Sequence, residues 1–187
     1  MPALPNAQLT HVGIFVRDLK VMTDFYCRTL GMVITDGGPF AGRELAFLSR
    51  NPNEHHQLVM IQDPAQQPGM SALGQISFRL ETLEALREFY AFLTAEKAAG
   101  LEGRNHGNSW SLYFFDPEGN KIEIYTATPW QISQPWRAPL DLTAPADEIL
   151  AETERLLSQN STVRPVEQWS REMAQRMGFS PAQGVAL

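Results

Sequence analysis

The sequence predicts an α+β fold: two βαβββ modules forming a concave mixed sheet, followed by a C-terminal helical tail. Three observations lead there. The first is an internal repeat. Leu9-Thr10-His11-Val12-Gly13-Ile14-Phe15-Val16 is followed by Asp24-Phe25-Tyr26, and Leu73-Gly74-Gln75-Ile76-Ser77-Phe78-Arg79-Leu80 is followed by Glu88-Phe89-Tyr90. The register offset is 64 residues, from His11 to Gln75 and again from Phe25 to Phe89. Self-similarity at a fixed spacing marks two copies of one small structural unit. The second observation is helix punctuation of the same kind in each copy, and the third is period-two alternation in the strand-like runs.

The first module spans 9–61. Leu9–Val16 reads as a strand, Asp18 as a helix N-cap, Leu19–Leu30 as a helix and Gly31 as its stop. Met32–Thr35, Glu44–Leu48 and Gln57–Ile61 are short apolar runs, separated by the turn sequences Gly37-Gly38-Pro39 and Asn51-Pro52-Asn53. Asp63–Gly69, rich in Pro and Gln, reads as a linker. The second module spans 73–127 in the same order. Gly74–Leu80 is a strand, Thr82 caps a helix that runs to Ala99, and Gly100 ends it. Leu101–Gly103 is a weak strand; Trp110–Phe115 and Lys121–Thr126 are strands joined by the tight-turn sequence Asp116-Pro117-Glu118-Gly119-Asn120. The paired modules thus occupy 1–130. Residues 131–187 form a Pro-interrupted connection and two amphipathic helices. One helix carries Ile149, Leu150, Thr153, Leu156 and Leu157 on a stripe; the other carries Val166, Trp169, Met173 and Met177. These stripes read as packing surfaces, against the modules or a second subunit.

Composition narrows the class. The chain has 187 residues, 43% of them hydrophobic, which suffices for a substantial core. Its net charge of −6 argues against nucleic acid and anionic membrane surfaces as partners. A single cysteine, Cys27, leaves no disulfide framework and points to a reducing, cytoplasmic setting. Met1–Asn6 lacks the basic-then-apolar pattern of a signal peptide, and no apolar run approaches membrane-spanning length.

Alternation sorts the strand side chains onto two faces. Ile76, Phe78 and Leu80 share one face, and Gln75, Ser77 and Arg79 the other. His11, Gly13 and Phe15 hold the equivalent face of the first module. Ile122 and Ile124 face the core; Lys121, Glu123 and Tyr125 face away. In the preceding strand Ser111 and Tyr113 oppose Trp110 and Leu112. Taken singly, any of the four histidines (His11, His55, His56, His106) reads as a surface or satisfied core residue. The repeat changes that weighting, because it places His11, Gln75 and Glu123 at matching strand positions facing one cavity.

At these residues the sequence resembles the vicinal oxygen chelate superfamily, which includes glyoxalase I, fosfomycin- and bleomycin-resistance proteins and type I extradiol ring-cleavage dioxygenases. The resemblance covers Leu9–Trp130 and is nearest to extradiol dioxygenase-like members. It rests on Leu9-Thr10-His11-Val12, Glu54-His55-His56-Gln57-Leu58, His106-Gly107-Asn108-Ser109-Trp110-Ser111-Leu112-Tyr113 and Asp116-Pro117-Glu118-Gly119-Asn120-Lys121-Ile122-Glu123-Ile124-Tyr125. In ring-cleaving members a divalent metal, Fe(II) or sometimes Mn(II), is held by two His and one Glu. The resemblance implies His11 and Glu123 as two of these ligands, with open positions for a bidentate catecholate and O₂. It implies His56 as an acid/base group, and His106 and Tyr113 as hydrogen-bonding catalytic groups. Alternation leaves open whether His55 or His56 faces the site.

The departure from the pattern is Gln75, which stands where the ring-cleaving pattern has His. An amide oxygen is a harder and weaker donor than imidazole, so affinity for iron should fall. Two readings follow. Either His11, Gln75 and Glu123 bind a metal, with Gln57 as a further candidate, or the metal is lost and the pocket kept. The expected activity is metal-dependent cleavage of a catechol-type ring with O₂. The alternatives are a glyoxalase-like isomerase or lyase and a non-catalytic protein binding a small aromatic ligand. By analogy the resemblance also implies a homodimer.

Overall fold

The computed structural model describes residues 8–67 and 73–178. The reading of Met1–Asn6 lies outside these residues, as does the end of the linker expected over Asp63–Gly69. The chain divides into two compact units: Met1–Gly74 with Asp116–Asn120, and Gln75–Phe115 with Lys121–Leu187.

The first unit runs β1 (Val12–Val16), α1 (Leu19–Leu30), β2 (Val33–Phe40), β3 (Arg43–Ser49) and β4 (Leu58–Gln62). Its sheet order is β1-β4-β3-β2, with β1 and β4 parallel. Asp18 caps α1 by accepting the Val21 N–H at 3.0 Å, and the Gly31 N–H returns to the Tyr26 carbonyl. One sheet face is buried through Ile14, Val16, Ala46, Leu48, Leu58 and Met60, together with Met22 and Tyr26 of α1. The other face is apolar rather than polar. Cross-strand registry aligns Gly13, Val59 and Phe47 in one row and Phe15, Ile61 and Leu45 in the next.

Two features of this unit depart from the sequence reading. Gly37-Gly38-Pro39 is not a turn; it lies within β2, paired with Ala46, Leu45 and Glu44. β2 is an edge strand, which tolerates a proline that cannot donate to a ladder. A Cβ at Gly37 would meet the Leu45 carbonyl oxygen at 2.8 Å, so the close strand approach selects glycine there. The hairpin turn is instead Ala41-Gly42, both at positive φ.

The turn Asp116–Asn120 belongs to this unit. Asp116 accepts the N–H groups of Glu118 (3.0 Å) and Asn120 (2.9 Å). Tyr26 donates to its other oxygen at 3.1 Å. Burial raises the pKa of both the Tyr26 phenol and the Asp116 carboxyl. The buried Glu118 carboxylate accepts the N–H groups of Arg17 and Asp18 at 2.8–2.9 Å, where the chain enters α1.

The second unit repeats the order: β5 (Ile76–Arg79), α2 (Leu83–Ala95), β6 (Glu102–Asn105), β7 (Ser109–Phe115) and β8 (Lys121–Ala127). The tail adds β9 (Trp130–Gln131), β10 (Ala138–Pro139), α3 (Ala146–Leu157), β11 (Arg164–Pro165) and α4 (Val166–Arg176). The main sheet is ordered β10-β6-β7-β8-β5, so its four repeat strands, read as β5-β8-β7-β6, follow the β1-β4-β3-β2 arrangement of the first unit. The tail is more than a covering layer, because β10 extends this sheet. Helix α2 stops at Ala95 rather than Ala99, and Lys97 takes a positive φ. The apolar stripe of α2 ends at Leu93, and the Ala99 carbonyl accepts the Phe115 N–H at 3.0 Å. A hydrogen bond from the end of β7 thus replaces a helical one.

The core of this unit contains Leu86, Leu93, Leu112, Phe114, Ile122 and Ile124. Of the α3 stripe, Ile149, Thr153 and Leu157 are buried, whereas Leu150 is 41% exposed. Ile124→Ala is expected to cost about 2–5 kcal/mol, the range for truncating a buried aliphatic side chain. Leu150→Ala is expected to stay within about 0.5 kcal/mol. Urea unfolding of the two variants measures both.

Candidate metal centre

The second unit assembles a polar cluster around one carboxylate. Glu123 sits in β8 between β5 and β7, and strand registry sets its neighbours. Ser77 pairs with Glu123 across the parallel β5–β8 ladder, and Tyr113 pairs with Glu123 across β7–β8. Residues in direct registry point to the same face, so all three side chains meet there. Gln75, two residues before Ser77, joins them.

Glu123 is only 8% exposed, and both of its oxygens accept hydrogen bonds. Its Oε2 accepts Gln75 Nε2 at 2.7 Å and Ser77 Oγ at 2.6 Å. Its Oε1 accepts the Tyr113 hydroxyl at 2.7 Å. A buried carboxylate without such donors would be strongly destabilising. Burial raises the Tyr113 pKa, and the Glu123 hydrogen bond and charge raise it further. The phenol therefore stays protonated and donating at neutral pH. The Lys121 ammonium lies 4.2 Å from the Tyr113 ring centroid, a cation–π distance.

The cluster continues to His106. Its Nε2 lies 3.0 Å from the Tyr113 hydroxyl and its Nδ1 3.3 Å from the Trp136 carbonyl. The loop carrying His106 is held by the tail: Gln134 Nε2 donates to the His106 carbonyl at 2.7 Å. The adjoining Gly107 has φ +77, and a Cβ there would meet Ile132 at 2.6 Å. Asn105 and Trp110 both donate to the buried Thr153 hydroxyl of α3, at 2.8 and 2.9 Å. The sequence reading assigned Thr153 to a packing stripe and gave the tail no role at His106.

The remaining candidates belong to the first unit. His11 stands one residue before β1, as Gln75 stands one residue before β5, so the 64-residue correspondence extends to their places in the fold. His11 Nδ1 is 3.1 Å from the Thr10 hydroxyl. The His56 ring stands edge-on to His11 at 4.4 Å between centroids and lies 5.1 Å from the Phe47 ring. Its Nδ1 is 2.9 Å from that of His55, so one ring must donate and the other accept. His56 is half-buried and His55 exposed, with His55 leaning toward Asp36. Desolvation lowers the His56 pKa, and the neighbouring His11 and His55 lower it further. The side-chain carbonyl oxygen of Gln57 accepts the Arg50 N–H at 2.9 Å, which engages the atom a metal would need.

The donor chemistry permits a cation at Glu123. An ionised carboxylate has about four lone-pair sites, and three donors leave one of them on Oε1. Among the described residues the Gln75 carbonyl oxygen accepts no hydrogen bond. Among the described residues no group of three His, Cys, Asp or Glu side chains is arranged to hold a metal ion. A three-ligand centre would therefore need a ligand of another type, and an amide oxygen is one. Ser77 is the member of this cluster that sequence reasoning placed on the right face without assigning it to the site.

Tyr113→Phe removes one donor from Glu123 and the partner of His106 Nε2, and is expected to cost about 1–3 kcal/mol. The raised pKa has a second consequence. Tyr113 binds its proton more tightly when folded, so its contribution is complete below the unfolded value of 10.0 and is lost as pH rises above it. Tyr26 behaves the same way. The wild-type protein should lose stability with a steeper slope above pH 10 than Tyr113→Phe, as followed by urea unfolding across that range.

Among the described residues no helix is long and apolar enough to cross a membrane. A family model described as the Glyoxalase/Bleomycin resistance protein/Dioxygenase superfamily matches residues 8–124. The chain is 28% identical over 131 residues to biphenyl-2,3-diol 1,2-dioxygenase 2 of Rhodococcus globerulus, covering 66% of this chain and 64% of that protein. It is 29% identical over 125 residues to biphenyl-2,3-diol 1,2-dioxygenase 3 of the same organism, covering 63% and 62%. The match thus spans a little under two thirds of the length of these curated relatives. A glyoxylase/bleomycin resistance protein/dioxygenase domain from Frankia sp. EAN1pec shares the fold, with a TM-score of 0.58 at 19% identity over 66% of this chain and 100% of that one. With the βαβββ order present twice and the family match covering both copies, the chain belongs to the Glyoxalase/Bleomycin resistance protein/Dioxygenase superfamily.

Proposed function

We propose that this protein is a divalent-metal-dependent dioxygenase that opens a catechol-type aromatic ring with O₂. The observation that carries this reading is the buried Glu123 carboxylate, with Gln75 beside it and the Tyr113–His106 pair behind it. Similarity to two biphenyl-2,3-diol dioxygenases supports the aromatic diol as substrate class. In this reading His11, Gln75 and Glu123 hold the metal. Bound there, the ion supplies a chelation point for two vicinal oxygens and, as iron(II), the redox chemistry with O₂.

The protein's own groups would then divide the work. The lowered pKa of His56 keeps it neutral near pH 7, the state required of a base that takes a catechol proton. His106, held by the tail, and Tyr113, protonated, would stabilise oxygen atoms on which charge develops, Tyr113 by turning toward them the hydrogen it otherwise gives Glu123. The Gly13–Val59–Phe47 row of the first unit offers an apolar surface beside His56, suited to an aromatic ring. Gln75 favours a second reading, a glyoxalase-like isomerase or lyase, in which the metal acts only as a Lewis acid. A homodimer, by analogy, and a cytoplasmic setting, from the single Cys27, belong to the same proposal.

Metal analysis after anaerobic purification is expected to find a divalent ion at one per chain. His11→Ala and Glu123→Ala should each abolish its binding, and Gln75→His should tighten binding of Fe(II), as read by anaerobic titration. Unchanged affinity in Gln75→His would remove Gln75 from the ligand set. An oxygen electrode tests the reaction: the Fe(II)-loaded protein should consume O₂ with a substituted catechol. His56→Phe and His106→Phe should lower turnover more than they weaken substrate binding, because proton transfer and charge stabilisation act in the transition state. No O₂ uptake across a catechol panel with metal bound would favour the isomerase or lyase.

A further inference from the structure

Among the described residues Gln75 makes two hydrogen bonds, and both use the same atom. Nε2 lies 2.7 Å from Glu123 Oε2 and 3.0 Å from Ser77 Oγ. An ionised carboxylate only accepts, so the Gln75 atom facing Glu123 must be the nitrogen. Ser77 makes the same demand for a separate reason. Its hydroxyl has one hydrogen, given to Glu123 Oε2 at 2.6 Å, so toward Gln75 it can only accept. The three groups close a triangle of 2.6, 2.7 and 3.0 Å. The amide presents its nitrogen to both oxygens, and its carbonyl oxygen accepts no hydrogen bond among the described residues. Rotating the amide by half a turn would place an acceptor against two acceptors, which forfeits two hydrogen bonds and adds repulsion from the carboxylate charge.

We propose that Ser77 is a positioning residue: together with Glu123 it fixes the Gln75 amide so that the carbonyl oxygen, the atom able to ligate a divalent cation, is the one presented. This deepens the metal-site reading and rests on it for the cation, whereas the amide orientation stands on the triangle alone. It explains how a glutamine can serve at this place. A free amide presents oxygen or nitrogen with little preference, but one held at its nitrogen presents only oxygen. An imidazole at position 75 would not need Ser77 in this way, because each of its ring nitrogens is a fixed point of a rigid ring.

The experiment compares wild type, Ser77→Ala, Ser77→Thr, Gln75→His and the double variant Gln75→His/Ser77→Ala, each checked for folding by circular dichroism. In the metal-free proteins, ¹⁵N–¹H NMR follows exchange of the Gln75 side-chain amide protons. They should be protected in wild type, exchange about tenfold faster in Ser77→Ala, and be protected again in Ser77→Thr, which restores a hydroxyl. Titration with Mn(II) alone should show affinity about tenfold lower in Ser77→Ala. In the Gln75→His background the same Ser77→Ala change should alter affinity by less than about twofold. Equal losses in the two backgrounds would mean that Ser77 acts only on Glu123, and would overturn the proposal. So would Gln75 amide protons that exchange freely in wild type. Ser77-dependent protection without Mn(II) binding in wild type would uphold the amide clamp and overturn the metal reading.

Discussion

A carboxylate buried in a β-sheet must be answered by hydrogen-bond donors, and this constraint organises the second unit. Glu123 lies in a strand whose neighbouring residues, Ile122 and Ile124, are core. The strand cannot shift by one residue to release the carboxylate, because that shift would expose both isoleucines and bury Glu123 among apolar groups. Registry then does the rest. It delivers Ser77 from β5 and Tyr113 from β7 to the same row, and Gln75 reaches in from the residue before β5. The apolar alternation that builds the core and the polar cluster around Glu123 are two consequences of one pairing pattern.

A second carboxylate performs a comparable task in the first unit. Glu118 accepts two backbone N–H groups where the chain enters α1, and Asp116 takes the Tyr26 phenol and two N–H groups of its own turn. Both acids belong to the stretch Asp116–Asn120, which the sequence marks as a tight turn and as part of the family resemblance. Turn-forming residues are recognisable because their local hydrogen bonds are encoded within a few positions. Their long-range partners are not. Across the sequence separation of 101 between Arg17 and Glu118 there is no signal that the two will meet.

That distinction between local and distant constraints explains what the sequence revealed. The Asp18 cap and the Gly31 stop of α1 are local, and both stand where they were expected. The 64-residue repeat also carried far: it aligned His11 with Gln75 one residue ahead of equivalent strands, and alternation put Ser77, Glu123 and Tyr113 on a common side. Misplaced features are those decided by a distant partner. Gly37-Gly38-Pro39 has turn composition, but seven paired positions with β3 hold it extended. The alanines after Ala95 favour a helix, but the Phe115 N–H claims the Ala99 carbonyl. The tail gave only an amphipathic pattern, and its grip on His106 through Gln134 and Trp136 uses polar contacts that periodicity does not register.

Gln75, which the family resemblance sets where ring-cleaving members have His, has a structural counterpart in its own cluster. A histidine ligand is oriented by a hydrogen bond to its second ring nitrogen, so one partner suffices. An amide has two chemically different ends of nearly the same shape and needs its nitrogen occupied before its oxygen is reliably presented. Here that requirement is met within the cluster itself, by a carboxylate and a hydroxyl both directed at the nitrogen. Gln75 is therefore not an isolated departure from a histidine pattern. Its amide nitrogen is shared by Glu123 and Ser77, which lies two residues further along the same strand face.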